Sequence, residues 1–176
     1  MFQADLTQGL EDRKSFLALL VEIYDSDNAE LMQEAADQFP INSLYNGPFF
    51  SKGDAIAFSK ILSKVRRHIE KLLLFNCKLY TEHFGHIASA IKSMDESIDE
   101  FCLCHNDLAS SDIELICEIL PKINQKLCIV KCFAGNTDSR NANEQEKSKL
   151  QEAMDKIGNK ELIIQLDDCG CELKSN

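Results

Sequence analysis

The sequence predicts an α/β fold: a parallel sheet backed by helices, wound as a short solenoid of similar strand–helix units. Three observations predict it. Apolar positions in the 176-residue chain recur with a period of 29 residues. The first part of each period alternates apolar and polar with period 2, as a strand does. The second part steps by three and four, as a helix does. A period in the range of 20–50 residues is the mark of a stacked repeat architecture, in which each unit buries its apolar face against the next.

Two central units set the phase. From Ile69, the apolar or small residues Leu72, Leu74, Cys77 and Leu79 follow at offsets 3, 5, 8 and 10. From Ile98, the same offsets hold Phe101, Leu103, Asn106 and Leu108. Offsets 15, 18, 22 and 25 then hold Phe84, Ile87, Ile91 and Met94 in the first unit, and Ile113, Ile116, Leu120 and Ile123 in the second. Another step of 29 predicts a strand from Leu127, with Val130 and Cys132 inward and a turn at Gly135-Asn136. The last strand starts near Glu161, so five extra residues are placed in the polar stretch Asn136 to Gln145. Leu150, Met154 and Ile157 then continue the helical offsets, and Ile164, Leu166, Cys169 and Cys171 the strand offsets.

Counting back from Ile69 gives Pro40, whose unit keeps the helical half (Ala55, Phe58, Leu62, Val65) and has a poor strand half (Ser43, Tyr45, Pro48, Phe50). Residues 1–39 lose the period. Phe16 to Tyr24 reads as a helix with a wide apolar face, and Asp27 or Asn28 caps a second helix through Ala36. These form an expected N-terminal helical cap, with repeats over 40–176 and strand starts near 40, 69, 98, 127 and 161.

The pattern LxxLxLxx(N/C)xL followed by a helix resembles the ribonuclease-inhibitor class of leucine-rich repeats, over roughly Pro40 to Leu173. Ile98-Asp-Glu-Phe-Cys-Leu-Cys-His-Asn-Asp-Leu108 is the best match. The chain departs from it in the weak first strand, in the shifted Asn136 and in having no helix after Leu173. Its last edge is therefore open or covered by Lys174-Ser-Asn176. The resemblance implies an arc with the sheet on its concave side and a role in protein–protein recognition.

Side chains at offsets 2, 4 and 6 alternate away from the core and form that concave face. Unit by unit they are Asn42, Leu44 and Asn46; Lys71, Leu73 and Phe75; Glu100, Cys102 and Cys104; Ile129, Lys131 and Phe133; and Ile163, Gln165 and Asp167. Leu73, Phe75, Cys102, Cys104, Ile129, Lys131, Phe133 and Ile163 are the expected partner-binding residues, with the loop 134–143 beside them. Three occupants stay open: a protein partner, a second copy of this chain, and the chain's own N-terminal helices.

Eight cysteines and no secretory pattern at Met1 to Asp5 suggest reduced thiols in a cytoplasm. The inward and turn offsets of the repeat take small side chains that tolerate burial, which accounts for Cys77, Cys132, Cys169 and Cys171 structurally. Cys102-Leu-Cys104-His105 is the one cluster with ligand chemistry. Its spacing is unusual for zinc and no fourth ligand is evident, so no metal or cofactor is expected. Cys104 and His105, adjacent on a strand, point apart and make a poor nucleophile–base pair. Asp95-Glu96 and Asp167-Asp168 read as solvated carboxylates, and no glycine-rich phosphate loop is present. The expectation is a binding module, not an enzyme.

The net charge of −10 disfavours nucleic acid and anionic membrane surfaces. The basic run Lys64 to His68 reads as a solvated helix end, and no apolar run approaches the roughly 20 residues of a membrane span. Two other readings remain: a bacterial effector or regulator acting on a host protein in the host cytosol, suggested by a composition rich in Lys, Ile and Asn, and a Cys/His metal or thiol protein.

Overall fold

A computed structural model describes residues 21–23, 28–39, 42–46, 51–134, 141–167 and 170–175, with the backbone alone for 43–46. Most of the expected Phe16–Tyr24 helix lies outside this set; residues 21–23 are helical. The first complete helix, α1 (Ala29–Asp37), is capped by Asn28, whose side chain accepts from the N–H groups of Glu30 and Leu31. Met32, Ala35 and Ala36 bury its inner face, and Phe39 packs edge-on against Phe58 with ring centroids 5.7 Å apart.

Among the described residues, strands β1 (Asn42–Asn46), β2 (Ile69–Phe75), β3 (Ile98–Cys102), β4 (Ile123–Cys128), β5 (Ile163–Gln165) and β6 (Glu172–Lys174) form one sheet in chain order. The first five are parallel and β6 is antiparallel to β5. Parallel neighbours need a crossover, supplied here by α2 (Lys52–Leu62), α3 (Thr81–Ser93), α4 (Ile113–Ile119) and α5 (Glu144–Ile157). Each helix packs beside the next in sequence.

The weak first strand forms: Asn42 to Asn46 pair with Lys71 to Phe75, a step of 29 residues. Lys71 and Leu72 pair with Glu100 and Phe101 at the same step. Inward residues Leu72, Leu74, Phe101, Leu127 and Ile164 meet Phe58, Phe84, Ile87, Ile116 and Leu150 from the helices, all 0–1% exposed. Ser51 begins α2 with a reciprocal bond to Asp54, and Asn143 begins α5 the same way with Glu146. Gly158 ends α5 at φ 68, a left-handed turn that glycine adopts without steric penalty.

The phase changes after β3. Phe101 pairs with Leu127 and Cys102 with Cys128, a step of 26 residues, not 29. The expected strand start at Leu127 is thus corrected to Ile123, which had been assigned to the helix. The cause is a short crossover. Pro121 has no N–H to donate and sits in a 3-10 turn (Leu120–Lys122) directly before the strand, so α4 spans 7 residues where α3 spans 13. The following step, Leu127 to Ile164, is 37 residues, so the insertion is eight residues, not five. Its central part, 135–140, lies outside the described residues.

At the far end, Gly170 (φ 89) turns the chain back and β6 pairs with β5. The last edge is therefore covered by Glu172–Lys174. Cys171, expected at a buried turn position, is exposed because it sits in this reversal; Cys169 lies outside the described residues. Cys77 and Cys132 are fully buried, as expected.

Ion pairs run between successive units on the surface. Arg66 pairs with Asp95, His68 with Asp99 at 2.9 Å, and Lys92 with Glu118 at 2.7 Å. Arg67 donates to the Phe39 carbonyl. The basic run Lys64 to His68 thus ties one unit to its neighbours. No helix of the described residues is long and apolar enough to cross a membrane.

Candidate functional site

One sheet face meets the helices. The opposite face is built by the alternate residues of the same strands, and among the described residues no helix packs on it. Across it, register aligns Lys71 with Glu100, Glu100 with Lys126, and Lys126 with Ile163. A second row aligns Leu73, Cys102, Cys128 and Gln165. All of these but the exposed Lys71 are half-buried. Lys71 donates to both carboxylate oxygens of Glu100 at 3.0 Å, which fixes the charged row at the strand entrance.

Leu73, Phe75, Cys102 and Ile163 therefore occupy the face expected of them. Phe75 lies at its exit edge, its ring 4.8 Å from that of His105. Cys104 is 5% exposed, with its sulfur turned toward Cys128. Ile129 and Phe133 are corrected: both are 0% exposed and belong to the core. The 26-residue step moves Ile129 onto the position equivalent to Leu103, which points inward.

Lys131 is corrected in the same way, from strand to turn. It has φ 51 and donates its backbone N–H to Asn141 Oδ1 at 2.8 Å. Asn76 (φ 52) and His105 (φ 58) take the same left-handed conformation in the two preceding units, again 29 and then 26 residues apart. Non-glycine residues rarely adopt it, so its recurrence marks one conserved turn geometry through three units. Beside it, the buried Asn106 amide joins two turns. Its Oδ1 accepts from the N–H groups of Cys77 and Leu79, each at 3.0 Å, and its Nδ2 donates to the carbonyls of Leu74 and Leu103, each at 2.8 Å.

The phase change also brings in a residue that the 29-residue count left out. Cys128 faces Cys102 directly across the β3–β4 pair, and Cys104 follows two positions on. The three sulfurs lie within 4.8 Å of one another, with Cys104 Sγ 3.0 Å from Cys128 Sγ. All seven described cysteines are free thiols. His105, adjacent in sequence, is not in this cluster; its left-handed backbone and its contact with Phe75 take it to the turn. Gln165 reaches in from β5, with Oε1 3.5 Å from Cys128 Sγ.

The three thiols titrate as a set. Hydrogen bonds from Cys102 and then Cys104 lower Cys128 to about 3, with a smaller contribution from the Lys126 charge, against the opposing effect of burial. Cys102 is pushed up to about 11: a hydrogen bond with Cys104 pulls it down, but its bond to Cys128 and burial outweigh that. Cys104 is raised by its bonds to Cys102 and Cys128 and by burial. Proline at position 121 was the sequence signal that would have exposed this cluster, since it marks where the helix ends early and the strand count must restart.

The sequence matches no protein-family model and no curated protein.

Proposed function

We propose that this chain is a leucine-rich-repeat module that binds a protein partner across the open, concave face of its sheet, and that it acts by recognition, not catalysis. The observation that carries this reading is the group of half-buried apolar side chains on the sheet face opposite α2 to α5. Leu73 and Phe75 on β2, Cys102 on β3 and Ile163 on β5 stand in one hydrogen-bonded sheet with Lys71, Glu100 and Lys126. Side chains held on a parallel sheet lose little freedom on binding, so contact area converts into affinity with a small entropic penalty. Apolar anchors within a charged border match the anatomy of protein interfaces. The recurrent 29-residue step, the shared left-handed turn and the buried Asn106 amide support the repeat class.

The test is the double substitution Leu73→Asp with Phe75→Asp. Both residues lie outside the core, so the variant is expected to keep the parent circular dichroism spectrum. A partner cross-linked to the parent is expected to be lost, and its affinity, remeasured with purified components, to fall by about 100-fold or more, as for loss of two anchors worth roughly 2 kcal/mol each. Undiminished binding by a folded double variant would refute the assignment of this face. Light scattering of the parent alone separates a foreign partner from a second copy.

A further inference from the structure

We propose that Cys102, Cys104 and Cys128 form a three-thiolate site for one thiophilic d10 cation, zinc(II) or copper(I), on the open face of the sheet. This site is independent of the partner-binding reading and stands if that reading falls.

The geometry is the first ground. Two thiolates on a tetrahedral zinc, each about 2.3 Å from the metal, stand about 3.8 Å apart. The three sulfurs here lie within 4.8 Å of one another and one pair is at 3.0 Å. Backbone hydrogen bonds hold the chain on both sides of Cys104 beside β4 and its continuation: Leu103 N–H donates to the Cys128 carbonyl at 2.8 Å and His105 N–H to the Val130 carbonyl at 2.9 Å.

The second ground is position. Cys77 and Cys132 occupy buried turn sites where a small side chain is needed for packing. Cys102 and Cys128 occupy no such site. They sit half-buried on the face away from the helices, where the repeat geometry makes no demand for cysteine. Three positions, on β3, in the turn after it and on β4, nonetheless direct sulfur to one point.

The donor set then selects the cation. Thiolates prefer soft or borderline ions, and three of them suit a trigonal copper(I) or a zinc(II) that takes a fourth donor. Gln165 supplies a fourth position. Its Oε1 faces Cys128 while its Nε2 donates to the Asp167 carbonyl at 3.4 Å, which orients the amide oxygen toward the sulfurs. The ion takes Cys128 as a thiolate, its proton passing to solvent. Coordination by Cys102 and Cys104 then releases their protons to solvent, with no change of oxidation state.

The experiment uses the full chain, reduced and handled without oxygen, and loaded separately with zinc(II) and copper(I). One metal ion per chain is expected to survive gel filtration, with X-ray absorption showing three sulfur neighbours. Cys128→Ser and Cys102→Ser are expected to weaken binding by about 100-fold or more, since loss of even an outer-sphere partner costs about 10–100-fold. Cys117→Ser and Cys171→Ser serve as controls and should leave affinity unchanged; circular dichroism verifies that each variant folds. Gln165→Ala separates the two ions, weakening zinc and leaving copper(I) as it was. Failure of both ions to bind stoichiometrically overturns the proposal. So does a folded Cys128→Ser variant that binds like the parent, or a Cys104–Cys128 disulfide that forms despite excess metal.

Discussion

Asn106 shows how much of this fold rests on one side chain. Its amide satisfies two N–H groups of the preceding turn and two carbonyls, all buried. Asn106→Ala would leave those groups without partners in a site closed to water. Each unsatisfied buried group costs about 1–3 kcal/mol, and partial relaxation limits the total, so a loss of about 3 kcal/mol is expected. Asn106→Asp should be no better, because a carboxylate keeps the acceptors and loses both donors. Urea denaturation of the two variants measures this, and a loss under about 1 kcal/mol would mean that the turns are held by other contacts. Asn106 was legible from the sequence because an unbroken run of apolar offsets surrounds it. Cys128 was not. It lies three residues from where a fixed period put the equivalent position, and a side-chain period of 2 turns any odd slip into the wrong face.

At the scale of elements, the same slip decides which residues are core. The 29-residue step holds across the first two crossovers, from β1 to β3. It fails at the β3–β4 crossover, where 3-10 turns at Ser110–Asp112 and, with Pro121, at Leu120–Lys122 flank the short α4. Apolar spacing alone did not reveal this, since Ile123 fits a helical offset and a strand start equally well. The consequence is measurable. Ile129 and Phe133, fully buried, should behave as core residues: Ile129→Ala is expected to cost about 2–5 kcal/mol and Phe133→Ala about 3–5 kcal/mol. Leu73→Ala, on the half-buried face, should cost about 1 kcal/mol. If thermal and chemical unfolding ranked Leu73→Ala as the most damaging of the three, the register of β4 would be wrong. Phe133→Asp is accordingly a poor probe of partner binding, because it places a charge in the core and unfolds the chain.

At the scale of the whole molecule, the order of the sheet follows from repetition, while its final edge does not. Three residues of β6 are too few to carry a periodic signal, and the reversal depends on Gly170 with Asp167, whose carboxylate accepts the Cys171 N–H at 2.8 Å. Yet β6 does what an exposed parallel edge requires: it occupies the hydrogen-bonding groups of β5. It is also anchored from behind, with Leu173 half-buried against the core and Gln151 Nε2 donating to the Lys174 carbonyl at 3.0 Å. Ending the chain after Leu166 removes the strand and both anchors while leaving β1 to β5 intact. Half-burial of one leucine and a few partly exposed hydrogen bonds sum to about 2 kcal/mol, a fall in Tm of roughly 4–8 °C for a chain of this size. The uncovered β5 then presents free N–H and C=O groups to other copies, so the shortened chain should also self-associate at concentrations where the parent does not. Calorimetry with light scattering reads both effects. A shortened chain with the parent's Tm and oligomeric state would show that β6 lies on the edge without protecting it.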